Sequence, residues 1–104
     1  MKLLELFMEV FIMEKDIEQA LIGEIRKAGG LCLKFVSPGW SGAPDRICIL
    51  PGGRVTFVEL KTPGKQPRPL QVKRLSQLAE LGCRTFVVDD AEKARQLAQE
   101  LMKC

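Results

Sequence analysis

Histidine and tyrosine are both absent from the 104 residues of this chain. Without histidine it cannot run Ser-His-Asp or Cys-His chemistry, cannot carry an HNH-type site and cannot build a His-ligated zinc centre. Without tyrosine there is no phosphotyrosyl intermediate. The four cysteines, Cys32, Cys48, Cys83 and Cys104, include no CxxC pair, which argues against a zinc ribbon or a redox motif. Cys32, Cys48 and Cys83 fall inside apolar strand patterns, so reduced, buried thiols acting as small hydrophobes are expected. Long apolar runs are missing too, and nothing approaches the roughly 18 residues of a membrane span. The opening MKLLELFMEVFIM is broken by Glu5 and Glu9, and no small-residue cleavage site follows it. A cytoplasmic location without membrane association is therefore expected. Chemistry is left to carboxylates, amines, amides and hydroxyls, with or without a hard metal ion.

What is present fits one modest domain: 46% hydrophobic and 28% charged residues, a formal net charge of +3, no internal repeat and no low-complexity run. Residues 1–13 read as an apolar helical extension that packs on the core or on a second subunit, or as sequence ahead of a start at Met13. Residues 14–104 read as the folded domain. Ile17, Leu21, Ile25 and Ala28 recur at helical spacing, and Gly29-Gly30 stops that helix. LCLKFV alternates as a strand, and SPGWSGAPD is a Pro/Gly-rich loop carrying the only tryptophan. RICIL, the turn PGGR and VTFVELK form a hairpin. After the loop TPGKQPRP, Pro69 opens a helix that ends near Gly82. CRTFVV is a fourth strand, and Asp89 with Glu92 resembles a capping box for the last helix. The order is α, β, β, β, α, β, α.

Within FVELK, alternation places Glu59 and Lys61 on the face shared by Phe57. Alone, this ExK pattern reads as a surface ion pair. The hairpin changes that reading, because a fold centred between Pro51 and Arg54 brings Asp45 nearly opposite Glu59. Like charges opposed on a sheet repel, so a cation belongs between them. Lys61 serves in part, and a divalent cation such as Mg²⁺, commonly held by one or two carboxylates with waters and phosphate, is the more natural occupant.

Glu18 falls inside the apolar arc of the first helix, either as a site carboxylate or at the wet margin of a wide arc. Gln71 shares a face with Leu75 and Leu78, where its amide either bonds buried backbone or reaches towards a phosphate or water in the site. Lys34 faces the same way as Cys32 and Val36. Between Leu60 and Ala79 there is no acid, while Lys61, Lys65, Arg68, Lys73 and Arg74 are all cationic. A solvated basic face is one reading. Together with the carboxylates, a bound polyanion is the other.

GAPDRI, then FVELK, then a loop and a helix beginning PLQ, resembles the VRR-NUC branch of the PD-(D/E)xK nuclease superfamily over roughly residues 14–88. The resemblance implies an α/β, restriction-endonuclease-like αβββαβ core with a mixed four-stranded sheet flanked by helices, plus a C-terminal helix. It implies that Asp45 is the motif aspartate, Glu59 and Lys61 the ExK pair, Glu18 the helix glutamate and Gln71 the helix glutamine. Asp45, Glu59, the backbone carbonyl of Leu60 and Glu18 would then hold Mg²⁺ or Mn²⁺, with Lys34, Lys65, Arg68, Lys73 and Arg74 binding DNA. The expected activity is endonucleolytic hydrolysis of branched DNA, with four-way (Holliday) junctions the leading substrate and a homodimer making paired cuts. The alternatives are a monomeric flap or fork nuclease, an idle DNA-binding module, and a small interaction protein whose ExK is a surface pair.

Overall fold

The computed structural model describes residues 2–103. Seven elements follow the expected order: α1 (Leu3–Lys27), β1 (Leu31–Lys34), β2 (Arg46–Leu50), β3 (Arg54–Leu60), α2 (Pro69–Glu80), β4 (Arg84–Val88) and α3 (Ala91–Met102). The strands form one mixed sheet in the order β1-β2-β3-β4, antiparallel except for the parallel β3–β4 pair. α2 supplies the crossover between those parallel strands.

The core lies on one face of the sheet. Ile17, Leu21 and Ile25 from α1 and Ala94, Leu97, Ala98 and Leu101 from α3 pack on Cys48, Leu50, Val58 and Val88. α1 ends close against the sheet, and a Cβ at Gly30 would stand 2.6 Å from the carbonyl oxygen of Ile49. Only glycine permits that approach.

Three local expectations are corrected. The first helix does not begin near Glu14, because α1 runs without a break from Leu3 and absorbs the apolar opening. Leu3, Phe7 and Val10 lie on the same helical stripe as Ile17, Leu21 and Ile25, so the pattern carries one helix past the edge of the body. The cap of α3 is Asp90 rather than Asp89: the Asp90 carboxylate accepts from the N–H groups of Glu92 and Lys93. Asp89 instead pairs with the Lys93 ammonium at 2.8 Å. Of the cysteines, Cys48 is buried as expected, whereas Cys32 and Cys83 are only partly covered; all three are free thiols. Cys83 precedes β4 rather than lying within it. Cys104 lies outside the described residues. No helix among the described residues is long and apolar enough to cross a membrane.

Candidate active site

The β2–β3 hairpin sets the site. Its ladder pairs Arg46 with Val58 and Ile47 with Phe57, so Asp45 stands opposite Glu59 one step beyond the last pair. Two hydrogen bonds fix Asp45 there. Its backbone carbonyl accepts from the Phe35 N–H at 2.9 Å, and its Oδ2 accepts from the Leu60 N–H at 2.8 Å. Asp45 is exposed, while Glu59, on the same hairpin, is completely buried. The surface ion pair suggested by ExK alone is thereby excluded.

Glu59 is the unusual group. Neither of its carboxylate oxygens has a hydrogen-bond partner among the described residues, and the Lys61 ammonium stands 4.0 Å from Oε2. Burial, followed by the neighbouring Asp45 carboxylate, pushes the Glu59 pKa up to about 8, against the opposing pull of Lys61. A buried carboxylate without donors costs free energy that a bound cation would recover. Two neighbouring carboxylates on opposed strands, with a hard-oxygen donor set and no histidine or thiolate, suit Mg²⁺ or Mn²⁺ better than a softer metal. No group of three or more acidic, thiol or imidazole side chains clusters closely enough to hold a metal among the described residues.

A cleft of about 450 Å³ opens at this end of the sheet, and its walls include Glu18, Lys34, Asp45, Arg46, Leu60 and Lys61. The structure thus brings Glu18 and Lys34 to the same cleft as Asp45 and Lys61, while the fully buried Glu59 lies behind its wall. Glu18 does not join the Asp45–Glu59 pair, however. Its carboxylate is engaged by Arg46 at 3.2 Å and by Lys15 at 3.6 Å. This resolves its placement inside the apolar arc: it sits at the core margin, paired. Arg46 was not among the sequence-derived site residues. Its signal was a cation at the head of the apolar Arg46–Cys48–Leu50 face, legible only as a strand terminus.

Gln71 is buried, but its Oε1 accepts from the Arg68 N–H at 2.8 Å. Of the two roles open in the sequence, the bond to backbone is the one formed, as half of a capping box at the start of α2. The basic stretch does not converge on the cleft. Lys65, Arg68 and Lys73 are exposed on the following loop and α2, and none lines the cleft. Arg74 is tied down: its Nε donates to the Ser41 carbonyl at 2.7 Å, and its guanidinium lies 4.9 Å from the Trp40 ring centre. It clamps the Pro/Gly loop onto α2. Gly42, in that loop, has a φ of 82°, and a Cβ there would come within 2.8 Å of Leu70. This close seat holds the loop that delivers Pro44 and Asp45 to the sheet.

A restriction-endonuclease-like sheet whose central hairpin opposes Asp45 to an ExK pair defines a nuclease of the PD-(D/E)xK type. The comparisons with known proteins agree. No family model matches the chain. It is 46% identical over 81 residues to "Putative nuclease p44" of Acyrthosiphon pisum secondary endosymbiont phage 1, covering 78% of this chain and 87% of the phage protein. A solved structure described as "VRR_NUC domain" superposes with a TM-score of 0.79 at 31% identity, over 84% of this chain and 95% of that one. A second, "VRR_NUC domain protein", shares the fold with a TM-score of 0.63 at 19% identity, over 85% of this chain and 86% of that one. The chain belongs to the VRR-NUC nuclease family.

Proposed function

We propose that this nuclease is a Mg²⁺- or Mn²⁺-dependent endonuclease that hydrolyses phosphodiester bonds in branched DNA, with four-way junctions the preferred substrate, and that it acts as a homodimer. The observation that carries the catalytic part is the buried, partnerless Glu59 carboxylate opposite Asp45, with the Lys61 ammonium 4.0 Å away. Binding a partner protein or DNA alone requires no such opposed pair. Asp45, Glu59 and the Leu60 carbonyl are the groups that would hold the cation. When bound, it would supply Lewis acidity at the phosphoryl oxygen and acidify a nearby water.

The chain's own groups do the rest. Asp45, fixed by the Leu60 N–H, and Glu59, fixed by burial between neighbouring strands, present a rigid donor pair. Lys61 follows Glu59 at the strand period, so its ammonium stays at the cleft, where it orients the attacking water and stabilises charge growing on the phosphorane. The water oxygen bonds to phosphorus as one ester bond breaks, and a proton ends on the departing oxygen. Gln71 supports the site from a distance by fixing the start of α2. Lys34, on the cleft wall, would contact a strand bound there, and the exposed Lys65, Arg68 and Lys73 would meet only DNA that extends beyond the cleft.

The homodimer rests on α1. Leu3, Leu4, Phe7, Phe11 and Ile12 are all more than half exposed. Leu3 and Phe7 continue the core-facing stripe beyond the point where the described residues supply anything to cover it. A second copy offers the same stripe, which a two-fold axis would bury against the first. Light scattering should give twice the chain mass, and Mg²⁺ should produce paired nicks on opposite strands of a synthetic junction. A monomer that cuts linear duplex equally well would refute both the assembly and the substrate.

A further inference from the structure

We infer that Lys15, Lys34 and Arg46 form a phosphate subsite beside Asp45, and that Glu18 holds this subsite as an internal anion until a nucleic-acid phosphate displaces it. The inference rests on the nucleic-acid reading above and gives it a defined contact.

Lys34 and Arg46 are directly opposed across the β1–β2 ladder. Opposed residues share a face, and like charges so placed destabilise a sheet unless an anion sits between or above them. The face is that of the Cys32–Cys48 pair, which packs towards α1. From α1, Lys15 adds a third cation and Glu18 the anion, with the Glu18 carboxylate 3.2 Å from Arg46 and 3.6 Å from Lys15. All four line the same cleft of about 450 Å³ as Asp45 and Lys61, together with the exposed Glu14 at the rim.

The Arg46 side chain is only 13% exposed, and a guanidinium so covered requires an oxyanion partner. Its planar fork donates to carboxylate and phosphate oxygens in the same geometry. Glu18, 27% exposed, is reachable from the cleft and can be exchanged. A phosphate taking Arg46 and Lys15 would leave the Glu18 carboxylate without its partners, beside the Asp45 site. Its absence from the Asp45–Glu59 pair is then a property of the nucleic-acid-free state, and DNA arrival becomes the event that frees it. In this scheme Arg46 is a substrate-binding residue.

The test is metal-free binding of a fluorescein-labelled synthetic four-way junction, followed by anisotropy in EDTA over a range of KCl concentrations. Glu18→Gln should tighten binding several-fold, because the competing anion is gone. Arg46→Gln and Lys34→Gln should each weaken it and lower the slope of log affinity against log salt by about one. In the Arg46→Gln background, Glu18→Gln should no longer tighten. Lys34 is exposed, so its variant reports even if Arg46→Gln impairs folding. Unchanged or weaker binding by Glu18→Gln overturns the subsite. Parallel Mg²⁺ cleavage assays separate the two claims: cleavage without the tightening sinks the subsite alone, whereas tightening without cleavage leaves the subsite and sinks the nuclease mechanism.

Discussion

The two ends of the β2–β3 hairpin carry arginines with opposite fates. At the turn, Arg54 donates to the Leu101 carbonyl at 2.6 Å and to the Pro51 carbonyl at 3.1 Å, closing the C-terminal end of α3 onto the sheet. Its cation donates to backbone carbonyls at the turn and at the helix end, where the last carbonyls lack an intrahelical partner. At the mouth, Arg46 meets a carboxylate, Lys34 stands opposite it, and one strand away Glu59 is buried with no hydrogen-bond donor among the described residues. One end is satisfied by the chain itself. The other leaves Glu59 without a donor among the described residues and holds Arg46 on a partly exposed carboxylate, an arrangement that suits the proposed phosphodiesterase reading. On the proposed reading, the turn serves the fold and the mouth serves function.

Substitutions at the mouth should show the largest effects. Asp45→Ala, Glu59→Gln and Lys61→Ala should each lower cleavage of a labelled junction by at least about 10²- to 10³-fold, the usual cost of one preorganised charge-stabilising group. Circular dichroism should show an unchanged fold. Retained activity in Glu59→Gln would remove the mouth's claim to be the site.

The second contrast is in pH dependence. Glu59, pushed up to about 8 in the folded chain from an ordinary value of 4.5, keeps its proton in the native state after the unfolded chain has released it. Between those limits the folded state binds more protons, so metal-free stability should fall as pH rises from about 4.5 to about 8 and then level off. The loss should be roughly a few kcal/mol at most. Melting in EDTA across that range checks it. Glu59→Gln should flatten the curve and melt higher than the parent chain at alkaline pH.

At the turn the effects should be smaller and purely structural. Arg54→Ala removes charge-assisted hydrogen bonds to two carbonyls and should cost about 1.5–3 kcal/mol in urea unfolding. Cleavage per folded molecule should not change. Loss of activity at full foldedness would break the division between the ends.

The sequence was most legible where one local feature governed the geometry. The hairpin turn fixed the register, and the register alone brought Asp45 opposite Glu59. Pro69 and Gly82 likewise punctuated α2 where expected. Contacts between elements far apart in the chain left no comparable trace. Nothing in the order of residues said that Glu18 would meet Arg46, or that Arg74 would bond Ser41 and stack on Trp40. Adjacent aspartates made the α3 cap ambiguous by one position. Reading residues 1–13 as a separate helical extension set the start of the domain helix near Glu14, although Leu3, Phe7 and Val10 already carried the stripe of Ile17, Leu21 and Ile25.

The most direct test of the central claim, that Asp45 and Glu59 form a divalent-cation site, is the melting temperature of the parent chain and of Glu59→Gln, side by side, titrated with Mn²⁺ at neutral pH. A ligand that binds only the native state must raise the melting temperature as its concentration increases. The parent chain should therefore melt progressively higher with Mn²⁺, while Glu59→Gln starts higher without metal and stays level. Equal rises in both proteins, or none in the parent, would contradict the account.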